Sequence, residues 1–116
     1  MCSRQHKITA VILDKRGRVI SMGHNNYLKT HTLQAHYANK VGQPDRIFLH
    51  AEMDAIIRAG DKIKQAHTIQ VYRFNTKGEA RLAKPCPVCM SAILETPIKV
   101  IQFTANNGPV PESIIL

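Results

Sequence analysis

A chain of 116 residues, 44% apolar and 21% charged, has room for one domain with one core, and residues 1–116 are expected to form it. No apolar run approaches the roughly 18 residues of a membrane-spanning helix, and the composition is that of a folded chain rather than a disordered one. Sixteen Lys and Arg against eight Asp and Glu give a net charge of +8, which favours phosphate-bearing partners, whether nucleotide or nucleic acid.

Met1 to Lys7 carry charge but neither the apolar segment nor the small-residue cleavage site of a secretory signal, so a cytoplasmic protein is expected. Cys2 lies in this stretch, and the other two cysteines share a Cys-x-x-Cys spacing. Such a set suits metal-binding thiols in a reducing compartment better than a disulfide framework.

Lys7 to Leu13 predicts a strand, Asp14-Lys15-Arg16-Gly17-Arg18 a polar turn with a glycine for positive φ, and Val19 to Met22 a second, antiparallel strand. Strand propensity ends at Gly23-His24-Asn25-Asn26. From Thr32 to Val41, the residues Leu33, Tyr37 and Val41 recur every fourth position, with Thr32 as a cap and Gly42 as a terminator, which predicts a first helix. Gln43-Pro44-Asp45 reads as a loop. A second helix is predicted from about Leu49 to Ala59, with Met53, Ile56 and Ile57 on its buried side and Gly60 at its end.

His67 to Phe74 predicts a third strand, Ile69 and Val71 on one face and Tyr72 and Phe74 on the other, and so a strand covered on both sides. After the turn at Asn75-Thr76-Lys77-Gly78, Pro87 suits a first helical position, which makes Cys86 the N-cap and puts Cys89 in the first turn. Pro97 stops this third helix by Thr96. Ile98 to Thr104 is the fourth strand, with Val100, Ile101 and Phe103 as core, and strand, helix, strand in this order predicts a parallel βαβ unit. Beyond Asn106-Asn107-Gly108-Pro109, a short last strand falls at Ile114-Ile115-Leu116.

The chemistry concentrates in two segments, His50-Ala51-Glu52 and Pro85-Cys86-Pro87-Val88-Cys89. Together they supply three metal donors and one spare carboxylate. A zinc ion with three protein ligands keeps a fourth position at which water ionises near neutral pH, which points to hydrolysis. Both segments fall at predicted helix N-termini, whose partial positive charge favours thiolate at Cys86 and Cys89. Two other readings stay open from the residues alone. One is a structural zinc site completed by Cys2, His24, His36 or His67, and the other is a thioredoxin-like redox pair, which leaves His50 and Glu52 unused. Residues two apart on a regular helix face nearly opposite directions, so spacing alone does not bring His50 and Glu52 together.

The ordered pair His50-Ala51-Glu52 and Pro85-Cys86-x-x-Cys89 resembles the zinc-dependent cytidine and deoxycytidylate deaminase superfamily, which includes tRNA adenosine deaminases and polynucleotide cytidine deaminases. The similarity in element order covers nearly the whole chain. It implies an α/β, three-layer α-β-α fold whose mixed sheet of four to five strands contains an N-terminal antiparallel hairpin and a parallel βαβ unit. It also implies one zinc per chain held by His50, Cys86 and Cys89, with Glu52 as the proton shuttle. By the same resemblance Asn25, with Asn26 as its rival, contacts sugar or base, and the backbone N–H of Ala51 receives the carbonyl oxygen of the base. A histidine at position 50 favours the deoxycytidylate and polynucleotide branch.

The implied reaction is hydrolytic deamination of a cytosine nucleotide, deoxycytidylate or a related one, by a homo-oligomer. Two departures bear on the substrate. Deoxycytidylate deaminases commonly continue the motif as HAExN, where this chain has Met53-Asp54, and many relatives follow the fourth strand with a helix and a fifth strand, where this chain soon ends. A polynucleotide deaminase acting on single-stranded DNA or a tRNA loop is the nearest alternative. It is favoured by the charge and opposed by the scarcity of stacking side chains, because Phe48, Phe74 and Phe103 read as core and leave Tyr27 and Tyr37. A non-catalytic, zinc-stabilised nucleic-acid-binding domain is the alternative from another class.

Overall fold

A run rich in β-branched residues opens the first hairpin in the computed structural model, which describes residues 7–30, 32–42, 48–106 and 111–116, with backbone alone at 7, 26–30 and 48–49. Strand β1 (Lys7–Asp14) pairs antiparallel with β2 (Val19–His24). The turn between them is held by the Asp14 carboxylate, which accepts the N–H groups of Arg16 and Arg18 and the Arg18 Nε–H, each at 2.9 Å. The Arg18 backbone N–H above all keeps the Asp14 carboxyl below its ordinary range. Gly17 takes the expected positive φ of 79°. The expectations for Cys2, the loop Gln43-Pro44-Asp45, the turn at Asn107-Gly108-Pro109 and the side chains of Asn26, Tyr27 and Phe48 lie outside the described residues.

After the hairpin the chain departs from expectation. Strand β3 (Asn26–Thr30) pairs with the two-residue β4 (Phe48–Leu49) in a separate small sheet, with helix α1 (Thr32–Lys40) between them in sequence. Helix α2 (Ala51–Ala59) therefore begins two residues later than the pattern of apolar residues suggests, because Leu49 is committed to that pairing. A 3₁₀ segment (Gly60–Gln65) leads into β5 (Ala66–Phe74), followed by α3 (Pro87–Leu94), β6 (Val100–Phe103) and β7 (Glu112–Ile115). The main sheet has the order β2-β1-β5-β6-β7. Strands β5 and β6 are parallel, as the βαβ reading requires, and the other neighbours are antiparallel.

One face of this sheet carries the core. Ile8, Ala10 and Ile12 of β1 share it with Ile69 and Val71 of β5 and Ile101 and Phe103 of β6, and Ala51 and Ala55 of α2 and Ile93 of α3 complete the cluster. Small residues let α2 lie close to the sheet. A Cβ at Gly23 would collide with the backbone N of Ala55 and O of Ala51, and the Ser21 hydroxyl donates to the Ala55 carbonyl at 2.8 Å. Met53 is fully buried on the far side of α2, where it meets Ala92 together with Leu33 and Tyr37 of α1.

Helices α2 and α3 thus share one face, and α1 packs outside them. The fold is the expected α/β class with a five-stranded mixed sheet, but among the described residues no helix joins the residues of β5 on its other face, where cover was expected. There Val11, Leu13, Tyr72 and Val100 are half-buried, while Phe74 is 40%, Met22 47% and Ile115 75% exposed. Phe74 and Val100 are accordingly not core residues. Among the described residues no helix is long and apolar enough to cross a membrane.

Candidate active site

His50 stands just before α2 with φ −85° and ψ 156°, an extended conformation, as its N-cap. That placement answers the difficulty of the two-residue spacing, because His50 lies outside the helix and Glu52 within its first turn, so the 100° step between helical positions does not separate them. The His50 N–H is directed at the buried Gln34 side chain of α1, whose Oε1 accepts it at 3.4 Å, and the His50 carbonyl starts the helix by accepting the Asp54 N–H at 2.9 Å. Gln34 is fully buried on a helix whose apolar pattern gave no sign of it.

Cys86 is likewise an extended N-cap, φ −70° and ψ 166°, with Pro87 at the first helical position as expected and Cys89 buried in the first turn. The two helix starts meet at His50. Its Nδ1 lies 3.4 Å from the Cys86 Sγ and 3.3 Å from the Cys89 Sγ, and the donor atoms all fall within 4.8 Å of one another. Zn–N and Zn–S bonds of about 2.0–2.1 and 2.3 Å at a tetrahedral angle put N and S about 3.6 Å apart, so these donors need only move slightly apart to form a zinc shell. The donor set of one imidazole and two thiols is also the kind zinc takes. Cys86 is held at a pKa of about 3, first by its hydrogen bond with Cys89 and further by His50, against the opposing effect of burial. A thiolate is the form that binds metal. His24, His36 and His67 join no such cluster, so among the described residues the site has three protein donors.

Glu52 is 6% exposed, and burial raises its pKa above the ordinary carboxylate range. It lines a cleft with His50, Ala51 and Cys86 from the helix starts and Ile8, Asn25, Val71 and Arg73 from the strands and their ends, with Leu82, Ala83 and Lys84 also in the lining. The cleft is shallow, with a volume of about 90 Å³ against the roughly 300–1,000 Å³ typical of small-molecule sites. A carboxyl whose pKa is raised holds a proton more readily than an ordinary one, which suits a group that takes up a proton and passes it on. Asn25 follows β2, and its Oδ1 accepts the Ile8 N–H at 3.0 Å, which fixes the amide plane at the cleft wall. Ala51 is the first residue of α2, so its N–H belongs to the first turn, where no intrahelical acceptor is within reach.

Asp54 does not line the cleft. Its carboxylate accepts the His24 N–H at 3.0 Å and pairs with Arg58, which ties β2 to α2 and removes it from questions of phosphate recognition. Tyr37 is also elsewhere, packed against Met53 and Ala92. Arg73 and Lys84, in contrast, line the cleft without having been singled out in the sequence. The only signals were a charged residue at an inward position of an apolar strand and a lysine next to Pro85-Cys86.

None of the curated proteins compared matches this chain. Among solved structures, a mutant cytidine deaminase from Mycobacterium tuberculosis is 18% identical to it over 90% of this chain and 75% of that one, with a TM-score of 0.49. The sequence model described as the cytidine and deoxycytidylate deaminase zinc-binding region matches residues 2–105, the span that contains His50, Glu52, Cys86 and Cys89. The chain belongs to the cytidine and deoxycytidylate deaminase family and carries its zinc-binding region.

Proposed function

We propose that this protein hydrolyses the exocyclic amino group of a cytosine nucleotide, deoxycytidylate or a close relative, giving the uracil form and ammonia. The observation that carries the reading is the burial of Glu52 in one cleft with the cluster of His50, Cys86 and Cys89. Those three residues would hold the zinc, which when bound supplies activation of water and stabilisation of developing negative charge. Glu52 takes a proton from the attacking water, delivers it to the ring nitrogen, and then assists the departure of ammonia from the tetrahedral carbon. The Ala51 N–H receives the carbonyl oxygen of the base, and Asn25 orients the base or sugar from the opposite wall.

Zinc-loaded protein should release ammonia from a panel of cytidine, its mono- and triphosphates in ribo and deoxy forms, and short single strands. Preference for a free nucleotide supports the proposal. Preference for a strand, with rates falling steeply as salt rises, would favour polynucleotide deamination, because several phosphate contacts release several counterions. Silence towards these compounds and towards their adenine and guanine counterparts, at full zinc content, would leave the non-catalytic binding domain. The reading also puts the protein in the cytoplasm, where free thiols persist, and in a homo-oligomer whose neighbouring copies cover the cleft. Sedimentation of the zinc-loaded protein as a monomer at micromolar concentration would contradict the last point.

A further inference from the structure

We propose that Arg73 and Lys84 form an anion subsite that holds the phosphate of the substrate and thereby selects nucleotide over nucleoside; the identity of the base rests on the deaminase reading above. Side chains alternate along β5, so Arg73 follows Ile69 and Val71 on the core-facing side, and it pairs across the ladder with Ile8. A guanidinium at a half-buried position in that row costs desolvation that an apolar side chain would avoid. The row ends at the cleft, where Val71, Arg73 and Ile8 are all lining residues. Arg73 is held there at two points. Its backbone N–H donates to the Thr104 hydroxyl at 3.1 Å, and its Nη1 donates to the Leu82 carbonyl at 3.3 Å.

Lys84 approaches from the other strand-to-helix connection. It is exposed, takes part in none of the ion pairs among the described residues, and immediately precedes the buried Pro85 and the metal donor Cys86. The cleft lining therefore includes two cationic side chains, the half-buried Arg73 and the exposed Lys84, and one buried carboxylate, Glu52. The chemistry assigned to the metal donors and Glu52 uses neither cation. A substrate that suits this distribution carries its reacting ring inward and an anion outward, and the planar fork of Arg73 matches phosphate oxygens two at a time.

The test separates binding from turnover. Zinc-loaded Glu52→Gln protein is titrated calorimetrically with deoxycytidine and with its 5′-monophosphate, and the same ligands are compared by kcat/KM in the active protein. The monophosphate should bind at least tenfold more tightly. Arg73→Gln should shrink that advantage by roughly ten- to a hundredfold, as expected for lost charge-assisted hydrogen bonds, with the kinetic change mainly in KM. Arg73→Lys should recover part of it, and Lys84→Gln should show a smaller loss because Lys84 is exposed. Equal losses for both ligands, or an unchanged advantage in the double variant, would overturn the subsite. Tighter binding of a short single strand than of the monophosphate, with a steep salt slope, would overturn it as a mononucleotide site. Absence of turnover together with an Arg73-dependent phosphate advantage would sink the deaminase reading and uphold the subsite.

Discussion

The two walls of the cleft are built by different means. The metal-side wall takes His50 and Glu52 from the start of α2 and Cys86 and Cys89 from the start of α3, so each helix terminus presents two residues within a few positions. The strand-side wall takes Asn25, Ile8 and Arg73 from three neighbouring strands or their ends, joined by the Ile8 to Asn25 hydrogen bond and the Ile8 to Arg73 pairing. Under the proposed function, chemistry is compact in sequence and selection is spread across the sheet. Changes on the first wall should abolish reaction with every substrate, and changes on the second should reorder substrates.

The sharpest way to break this comparison is at the buried Cys89. Cys89→Ala leaves two donors, so zinc content should fall from one per chain to near zero and deamination should disappear with it. Chelation of the wild-type protein should have the same effect, and added zinc should reverse it. Full zinc retention by Cys89→Ala, measured by elemental analysis, would mean that the three donors do not act as one site.

Gly23→Ala acts on the spacing between the walls. Its Cβ meets backbone rather than a yielding side chain, so the cost should be about 1–3 kcal/mol. That corresponds to a fall in Tm of about 4 °C for each kcal/mol in a domain of this size. A Tm within one degree of wild type would show that α2 can retreat from β2 freely.

Asp54→Asn removes the buried carboxylate that joins the His24 N–H to Arg58, and about 1–3 kcal/mol of stability should go with it. The order of preferred substrates should not change, since Asp54 stands outside both walls. A changed order would return Asp54 to the specificity problem. Smallest of all is Lys40→Ala. The pair it makes with Glu95 is half-exposed at both ends, and its loss should leave the melting curve unchanged within error.

Much of the metal-side wall was legible because its signals are local. Pro87 at a first helical position and Cys86 as N-cap follow from backbone rules that act within a few residues, as does the positive φ of Gly17. Helix α2 starts later than its apolar pattern predicts, because Leu49 continues that pattern and only its pairing with β3, some twenty residues earlier in the chain, makes it strand. The same long-range pairing holds His50 extended and so reconciles its direction with that of Glu52. The strand-side wall was largely hidden. Arg73 becomes a cleft residue only once β1 and β5 are neighbours, and no spacing within β5 indicates that. The tight contact of α2 with the sheet was equally invisible, because Gly23, Ala51 and Ala55 are small residues whose role is to let backbones approach.

The most direct test of the account is the rate at which zinc-loaded protein converts deoxycytidylate to deoxyuridylate, measured beside Glu52→Gln at equal zinc content. The wild-type protein should turn over, and the variant should fall by roughly 10²–10⁴-fold, the usual contribution of a general acid–base group. No turnover by the fully loaded wild type would contradict the account, and so would equal turnover by the two proteins.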